Sequence, residues 1–313
     1  MEIIKINHSI HERFHFDTPL VIAMGFFDGV HLGHQKVINT ARKIAEKKGL
    51  PLSVITYDHK PELVYKKMDG NDKRYITIYR TKMNILEHLG VDYVFYINYS
   101  YSFQAQSPQN FVDNYLVNRF NADTVVAGFD HTYGDKDADM DRLPHYADNR
   151  FSVVKVSADL IDNKKVSSTR IRRNLESGHI KTVNKLLGRP FYNEGVIVHG
   201  YARGRELGYP TINIDYDGLQ MMPSIGVYVT KVKIGNKWFE GMASIGRNET
   251  FGDNNPITLE INLLNFNRNV YGENVQVKWL YKIRNQVKFT GIDNLILQMD
   301  HDKMVTEKFF ENV

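Results

Sequence analysis

Apolar residues in the first half of this chain follow two alternating patterns. Short, nearly continuous runs at 19–23, Leu52–Tyr57, Tyr93–Ile97 and Thr124–Ala127 predict strands buried on both faces. Between them, apolar residues recur at every third or fourth position. Val37, Ile38, Ala41, Ile44 and Ala45 share one face of a helix over Gln35–Lys48, and Gly49 stands where a C-cap belongs. A second helix runs from about Ile76 to Leu89 and stops at Gly90. A third opens at Ser107-Pro108, where proline is tolerated in the first turn, and carries Phe111, Val112, Tyr115 and Leu116. Strands alternating with helices predict an α/β domain, its parallel sheet covered on both faces and its ligands at the C-terminal strand ends.

Helical spacing returns at Ile180, Val183, Leu186 and Leu187, then stops at Gly188-Arg189-Pro190. Beyond that point the period is two. The change predicts a domain boundary near residue 185, dividing the chain into 1–184 and 185–313. Alternating runs at Gly195–Val198, Gly226–Val232, Trp238–Ala243, Thr258–Leu263 and Val275–Leu280, with a tight turn at Gly235-Asn236, predict a small antiparallel β-barrel. Asp293–Asn312 closes the chain with helical segments that carry Leu295, Met299, Val305, Phe309 and Phe310.

The bulk composition narrows the function without naming it. Forty Lys and Arg stand against 36 Asp and Glu, so a net charge of +4 argues against a nucleic-acid partner but suits anionic small molecules. No cysteine is present, which removes disulfides, thiolate chemistry and cysteine metal sites. No stretch approaches the ~20 apolar residues of a membrane span, and Met1–Asn7 has no signal-peptide pattern. The expectation is a soluble cytoplasmic protein with no membrane partner.

Candidate chemistry concentrates where the first apolar run meets its helix, in Met24-Gly25-Phe26-Phe27-Asp28-Gly29-Val30-His31-Leu32-Gly33-His34. A helix start offers unpaired N–H groups and a positive dipole end, a seat for phosphate. The i, i+3 spacing puts His31 and His34 on one side of that turn, where imidazoles can stabilise charge developing on an α-phosphate. Gly29 and Gly33 let backbone approach a ligand closely. Two plainer readings stand beside this one: a zinc pair, for which the glutamate of HExxH is missing, and ordinary histidines on a helix cap.

The segment GFFDGVHLGH resembles the nucleotidyltransferase signature of the bacterial bifunctional riboflavin kinase/FMN adenylyltransferase (FAD synthetase) family. The resemblance implies a Rossmann-like nucleotidyltransferase domain followed by a riboflavin kinase barrel. It implies nucleotide contacts at Gly25, Phe27, Asp28, Gly29 and Gly33, with His31 and His34 catalytic. Gly128-Phe129-Asp130-His131-Thr132-Tyr133-Gly134 resembles the family's second nucleotide motif and gives Asp130 a binding role, although the residues alone read as a glycine-bounded loop. Val166-Ser167-Ser168-Thr169-Arg170-Ile171-Arg172 resembles its Ser-Ser-Thr-x-Ile-Arg motif, assigning Ser168, Thr169 and Arg172 to triphosphate binding; as bare sequence it is an N-cap. Two features depart from the family. His59-Lys60-Pro61 stands where Pro-His-Pro is usual, and Asp135-Lys136-Asp137-Ala138-Asp139 lacks the usual Arg and Gly.

The second half resembles riboflavin kinase in three places. His199 to Asn213 is a basic, glycine-rich stretch with no Walker sequence. The resemblance implies ATP contacts at Gly200, Gly204 and Arg205, and Mg²⁺ held on the ATP phosphates by Thr211 and Asn213. Glu260 interrupts an apolar strand and corresponds to the family's catalytic base; an outward-facing glutamate is the plainer alternative. Arg284 matches an arginine at the end of the last strand, near flavin or phosphate. Glu249, Asn262 and Asn265 replace Pro, His and Asp. The implied activity is phosphorylation of riboflavin to FMN, then adenylylation of FMN to FAD with release of pyrophosphate. ATP is the co-substrate of both steps. A protein retaining one activity, or a flavin-binding regulator, is the rival expectation.

Overall fold

The computed structural model of the chain describes residues 1–8, 15–133, 138–200, 203–247 and 257–312, without the side chains of Arg203 and Glu206. It divides into two compact units, Met1–Ser168 and Thr169–Val313.

In the first unit six parallel strands form one sheet: β1 (Glu2–Ile6), β2 (Leu20–Met24), β3 (Leu52–Tyr57), β4 (Tyr93–Ile97), β5 (Ala122–Gly128) and β6 (Ser152–Val156), in the order β1-β4-β3-β2-β5-β6. The four apolar runs are the four inner strands. Edge strands β1 and β6 carry exposed Glu2, Lys5, Ser152 and Lys155, so neither forms a continuous apolar run. The unit also holds helices α1 (Leu32–Lys48), α2 (Tyr79–His88), α3 (Tyr101–Gln104), α4 (Pro108–Phe111, continued by a π-helical turn over Val112–Val117) and α5 (Leu143–Ala147), 3-10 turns at Pro61–Val64 and Gly70–Lys73, and a short hairpin of β7 (Leu160–Ile161) and β8 (Lys164–Lys165).

Successive residues of β2 point to opposite faces, so the sheet has two cores. Leu20, Ile22 and Met24 pack with Phe95, Phe103 and Tyr115. Val21 and Ala23 pack with Ile38 and Ala41 of α1 and with Leu86 of α2. Gly49 caps α1 with φ 65° and ψ 30°, its N–H directed at the carbonyls of Ala45 and Glu46. Helix α2 starts three residues later than its apolar spacing predicts. The Asp28 carboxylate accepts from Ile76 N–H (2.9 Å) and Thr77 N–H (3.1 Å), and so holds the lead-in away from the helix.

The chain runs β2, β3, β4 toward one edge and then crosses to place β5 on the other side of β2. That reversal opens a crevice at the C-terminal ends of β2 and β5, where the loops diverge.

The second unit begins within α6 (Ser168–Glu176) and continues through α7 (Ile180–Leu187) into β9 (Phe191–Val198). After α8 (Arg203–Glu206) follow β10 (Thr211–Tyr216), β11 (Gly226–Ile234), β12 (Lys237–Arg247), β13 (Ile257–Leu263), β14 (Asn274–Arg284) and α9 (Ile292–Glu311). Six antiparallel strands close into a barrel in the order β10-β13-β12-β11-β14-β9. Strand β10 begins inside the glycine-rich stretch His199–Asn213; its alternation of buried Ile212 and Ile214 with Thr211 and Asn213 marks it. The change of period near residue 185 falls within this unit. Asn184 of α7 donates to the Trp279 carbonyl (2.9 Å) and accepts from Phe191 N–H (2.7 Å), tying the helix to the barrel. The closing segment is one helix, α9.

Candidate functional site

The crevice of the first unit holds a pocket of about 240 Å³, lined by the loops after β2, β5 and β6 and by the lead-in to α6. His31 is the N-cap of α1: its Nδ1 accepts from His34 N–H at 3.2 Å. An Nδ1 that accepts places the proton of the neutral ring on Nε2, leaving that nitrogen as a donor. The two imidazoles stack, ring centroids 3.6 Å apart and 17° from parallel, with the Phe27 ring edge-on to His34. At Gly33 a Cβ would stand 3.2 Å from the His31 ring, so glycine lets that ring lie over the helix start. No acidic residue occupies the first turn of α1, and its positive dipole end stays uncompensated from within the helix.

Behind the pocket wall the turn is braced at nearly every peptide. Phe27 (φ 56°) and Val30 (φ 39°) take left-handed backbone, unfavourable for an aromatic and a β-branched residue. Gly29 N–H donates to Thr77 Oγ1 (2.9 Å), and Ser168 Oγ donates to the Asp28 carbonyl (2.9 Å). The Phe26 carbonyl accepts from Thr56 Oγ1 (2.8 Å) and Lys82 Nζ (3.2 Å). Of the residues expected at this site, Gly25, Phe27, His31, Gly33, His34, Asp130 and Ser168 line the pocket. Asp28 and Gly29 instead hold the turn in shape, Asp28 being only 4% exposed. Thr169 and Arg172 lie on α6 within the second unit.

The second motif contributes through Asp130, ion-paired with Lys165 of β8 at the pocket. Lys165 also lies 4.7 Å over the Phe129 ring. The residues alone do not bring Lys165 here; the Asp162-Asn163 turn of its hairpin, both residues at positive φ, was the available signal. His131 is kept neutral, burial pulling its pKa down to about 4, and its buried Nε2 finds no partner among the described residues. Lys60 points inward, donating to the Asp72 carbonyl with its ammonium 5.4 Å from the Tyr75 ring centre. His59 is held at Nδ1 by Asp58 (2.7 Å), whose carboxylate also accepts from Asn98 (2.7 Å) and Tyr99 N–H (3.0 Å). Gly134, residues 135–137 and Glu249 lie outside the described residues.

In the second unit, pairing of β10 with β13 sets Thr211 opposite Asn262 and Asn213 opposite Glu260. On strand β13, Leu259, Ile261 and Leu263 are buried on one face, and Glu260 and the buried Asn262 share the other. Glu260 therefore lies in register with polar partners rather than interrupting an apolar strand. Its carboxylate accepts from Thr258 Oγ1 (3.2 Å) and Thr211 Oγ1 (3.4 Å). A Cβ on Gly200 would sit 2.2 Å from the Asn213 amide nitrogen, and one on Gly204 2.3 Å from the Tyr209 carbonyl oxygen. Asn262 donates to the Pro210 carbonyl (2.8 Å), and Asn265 turns the chain after β13 with φ 53°, a conformation asparagine tolerates.

Arg205 and Thr211 border a cavity of about 460 Å³ walled by Phe266, Arg268 and Tyr271. His199 stacks on Tyr271 at 3.7 Å. Arg284 donates to Asp302 of α9 through Nε (3.0 and 2.9 Å) and Nη2 (2.7 Å), so its charge is engaged inside the unit.

Comparison with known proteins finds two family segments in the chain. Residues 14–170 match the family model described as FAD synthetase, and residues 187–310 the one described as riboflavin kinase. A Listeria monocytogenes protein named bifunctional riboflavin kinase/FMN adenylyltransferase is 41% identical over 311 residues, 99% of this chain and 98% of its own length. A Bacillus subtilis protein of the same name is 37% identical, covering 100% and 99%. A crystal structure titled macrolide-efflux protein, from Streptococcus pneumoniae, superposes with TM-score 0.89 at 35% identity, covering 97% of this chain and 99% of that one. No described helix here is long and apolar enough to cross a membrane.

Proposed function

The chain belongs to the bifunctional riboflavin kinase/FMN adenylyltransferase family, and from that premise we propose how its two units divide the work. The protein phosphorylates riboflavin to FMN with ATP and adenylylates FMN to FAD, releasing pyrophosphate. Its substrates are small flavins and nucleotides. We assign adenylylation to the β2/β5 crevice and phosphorylation to the barrel, with the functional boundary near residue 185.

In the crevice an FMN phosphate oxygen attacks the α-phosphorus of ATP; the new P–O bond forms as the bond to pyrophosphate breaks. The nucleophile is already ionised at neutral pH, so the step needs positioning and charge stabilisation more than a base. His31 and His34 face the developing charge, while Ser168 binds the triphosphate. Asp130 binds the nucleotide, its pairing with Lys165 giving way as the ligand enters.

On the barrel the ribityl hydroxyl attacks the γ-phosphorus, the bond to ADP breaks, and Glu260 takes the hydroxyl proton. Thr211 and Asn213 set neutral oxygens on the same strand face as that carboxylate, a hard-oxygen donor set that would hold Mg²⁺. Bound there, Mg²⁺ supplies charge neutralisation on the ATP phosphates. Gly200 leaves the space that the Asn213 amide fills, and Arg205 lies at the cavity as a phosphate contact.

One observation carries the first assignment above the rest: His31 caps α1 through Nδ1 while stacked on His34, which presents Nε2 as a donor at a helix start. The test supplies MgATP with riboflavin, and separately with FMN, and resolves the flavins by chromatography. His31→Asn, which keeps a capping side chain but removes the imidazole, should abolish FAD and spare FMN formation. Glu260→Gln should stop FMN formation while supplied FMN still becomes FAD. Loss of both activities in either variant would refute the division.

A further inference from the structure

Helix α2 buries Met83 and Leu86, and in the same stripe it buries Lys82, 5% exposed. A lysine in an apolar helix face is costly unless something is gained from its charge. Its Nζ donates to the Phe26 carbonyl (3.2 Å), Thr56 Oγ1 (3.2 Å) and the Tyr57 carbonyl (3.3 Å), three neutral acceptors for three donors. It also lies 4.8 Å over the Phe26 ring and 5.7 Å over Tyr96. Among the described residues no carboxylate pairs with it directly.

We propose that Lys82 is a positioning residue for adenylyl transfer, its buried ammonium clamping the Phe26 carbonyl and thereby holding the strained turn that delivers His31 to the start of α1. The inference rests on assigning adenylylation to this crevice. The turn carries two left-handed non-glycine residues, Phe27 directly after Phe26 and Val30 three residues further on, and such backbone persists only where its surroundings over-determine it. Phe26 is where β3, through Thr56, and α2, through Lys82, grip that turn together. A methionine would fill the same space without desolvating a charge, so the ammonium itself is the feature to explain.

The clamp has a titration of its own. Groups facing Lys82 are Asp28 from the turn, Asp58 from the end of β3 and the Tyr96 ring from β4. Burial lowers the Lys82 pKa from 10.5 to about 8, against the attraction of Asp28 and Asp58. Burial raises Tyr96 well above the usual phenol range, so it stays neutral while the lysine loses its charge.

The test measures FAD formation from FMN and FMN formation from riboflavin on the full chain, from pH 6.5 to 9.5. The kcat of adenylylation should fall through a single-proton alkaline limb near pH 8, roughly tenfold or more by the upper end, with KM for ATP nearly constant. Phosphorylation should lack that limb. Between the folded pKa of about 8 and the unfolded value, the unfolded chain binds the extra proton, so the first unit should melt higher as activity falls. Activity lost through a rise in stability is not unfolding. Lys82→Met should lower the rate at pH 7 by roughly tenfold or more, remove the limb, and leave phosphorylation intact. A level wild-type profile, or Lys82→Met retaining the wild-type limb, overturns the proposal, and the first of these needs no variant to fold. Absence of FAD at every pH with phosphorylation intact would instead overturn the assignment of the crevice, and the proposal with it.

Discussion

Asp302→Asn should loosen α9 from the barrel and separate two roles for Arg284. Asp302 is 1% exposed and receives three N–H contacts from Arg284 and a fourth from Gln298 (2.9 Å). Removing one partner of a fully buried ion pair costs about 3–5 kcal/mol, since the other charge stays buried. The Arg284 side chain is 20% exposed and can turn partly to water, and asparagine keeps one acceptor, so we expect about 2–3 kcal/mol. For a unit the size of Thr169–Val313 that lowers its melting temperature by roughly 5–10 °C. Calorimetry on the full chain reads the second unit beside the first as internal reference. The double variant Arg284→Met/Asp302→Leu replaces the pair with apolar groups and should recover most of the loss. An Asp302→Asn protein melting within a degree of the parent, but with raised KM for riboflavin or ATP, would refute this account. Arg284 would then serve the ligand, the role its place at the end of β14 first suggested.

Two further outcomes follow from the sites. Gly200→Ala adds a methyl where the Asn213 amide now lies, 2.2 Å away, and should displace that side chain from Thr211 and Glu260. FMN formation should fall roughly 100-fold while FAD is still made from supplied FMN; unchanged phosphorylation would show that Asn213 is not needed in place. His131, held neutral with its pKa near 4 against an ordinary 6.5, binds its proton only on unfolding within that window. The first unit should therefore lose stability as pH falls from 6.5 toward 4, and His131→Phe should flatten part of that decline in a melting series; an unaltered slope would rule His131 out as its source.

The sequence was most informative where a single local requirement decides structure. The inner strands need only apolar runs, Gly49 only a left-handed cap, Gly235-Asn236 only a two-residue hairpin, and each stands where the pattern puts it. The glycine turn before α1 and the alternation of β13 were legible for the same reason. Edge strands β1 and β6 were not, because one exposed flank removes the need for continuous apolarity. Strand β10 was hidden by the glycines just ahead of it: Gly200 makes room for Asn213 of the strand itself, and Gly204 for the Tyr209 carbonyl.

Sequence alone thus determined the class of each unit and the residue types able to handle phosphate, since periodicity and turn chemistry are properties of a few adjacent residues. Tertiary structure decided which of those residues face a ligand. Asp28 sits between two candidate binding residues in sequence, yet its carboxylate turns away to bond Ile76 and Thr77, some fifty positions on. Arg284 closes on Asp302 rather than standing open at its strand end, and Glu260 meets Thr211 and Asn213 only because β10 and β13 pair in one register. Burial, ion pairing and strand register are contacts between distant segments, and a one-dimensional pattern does not contain them.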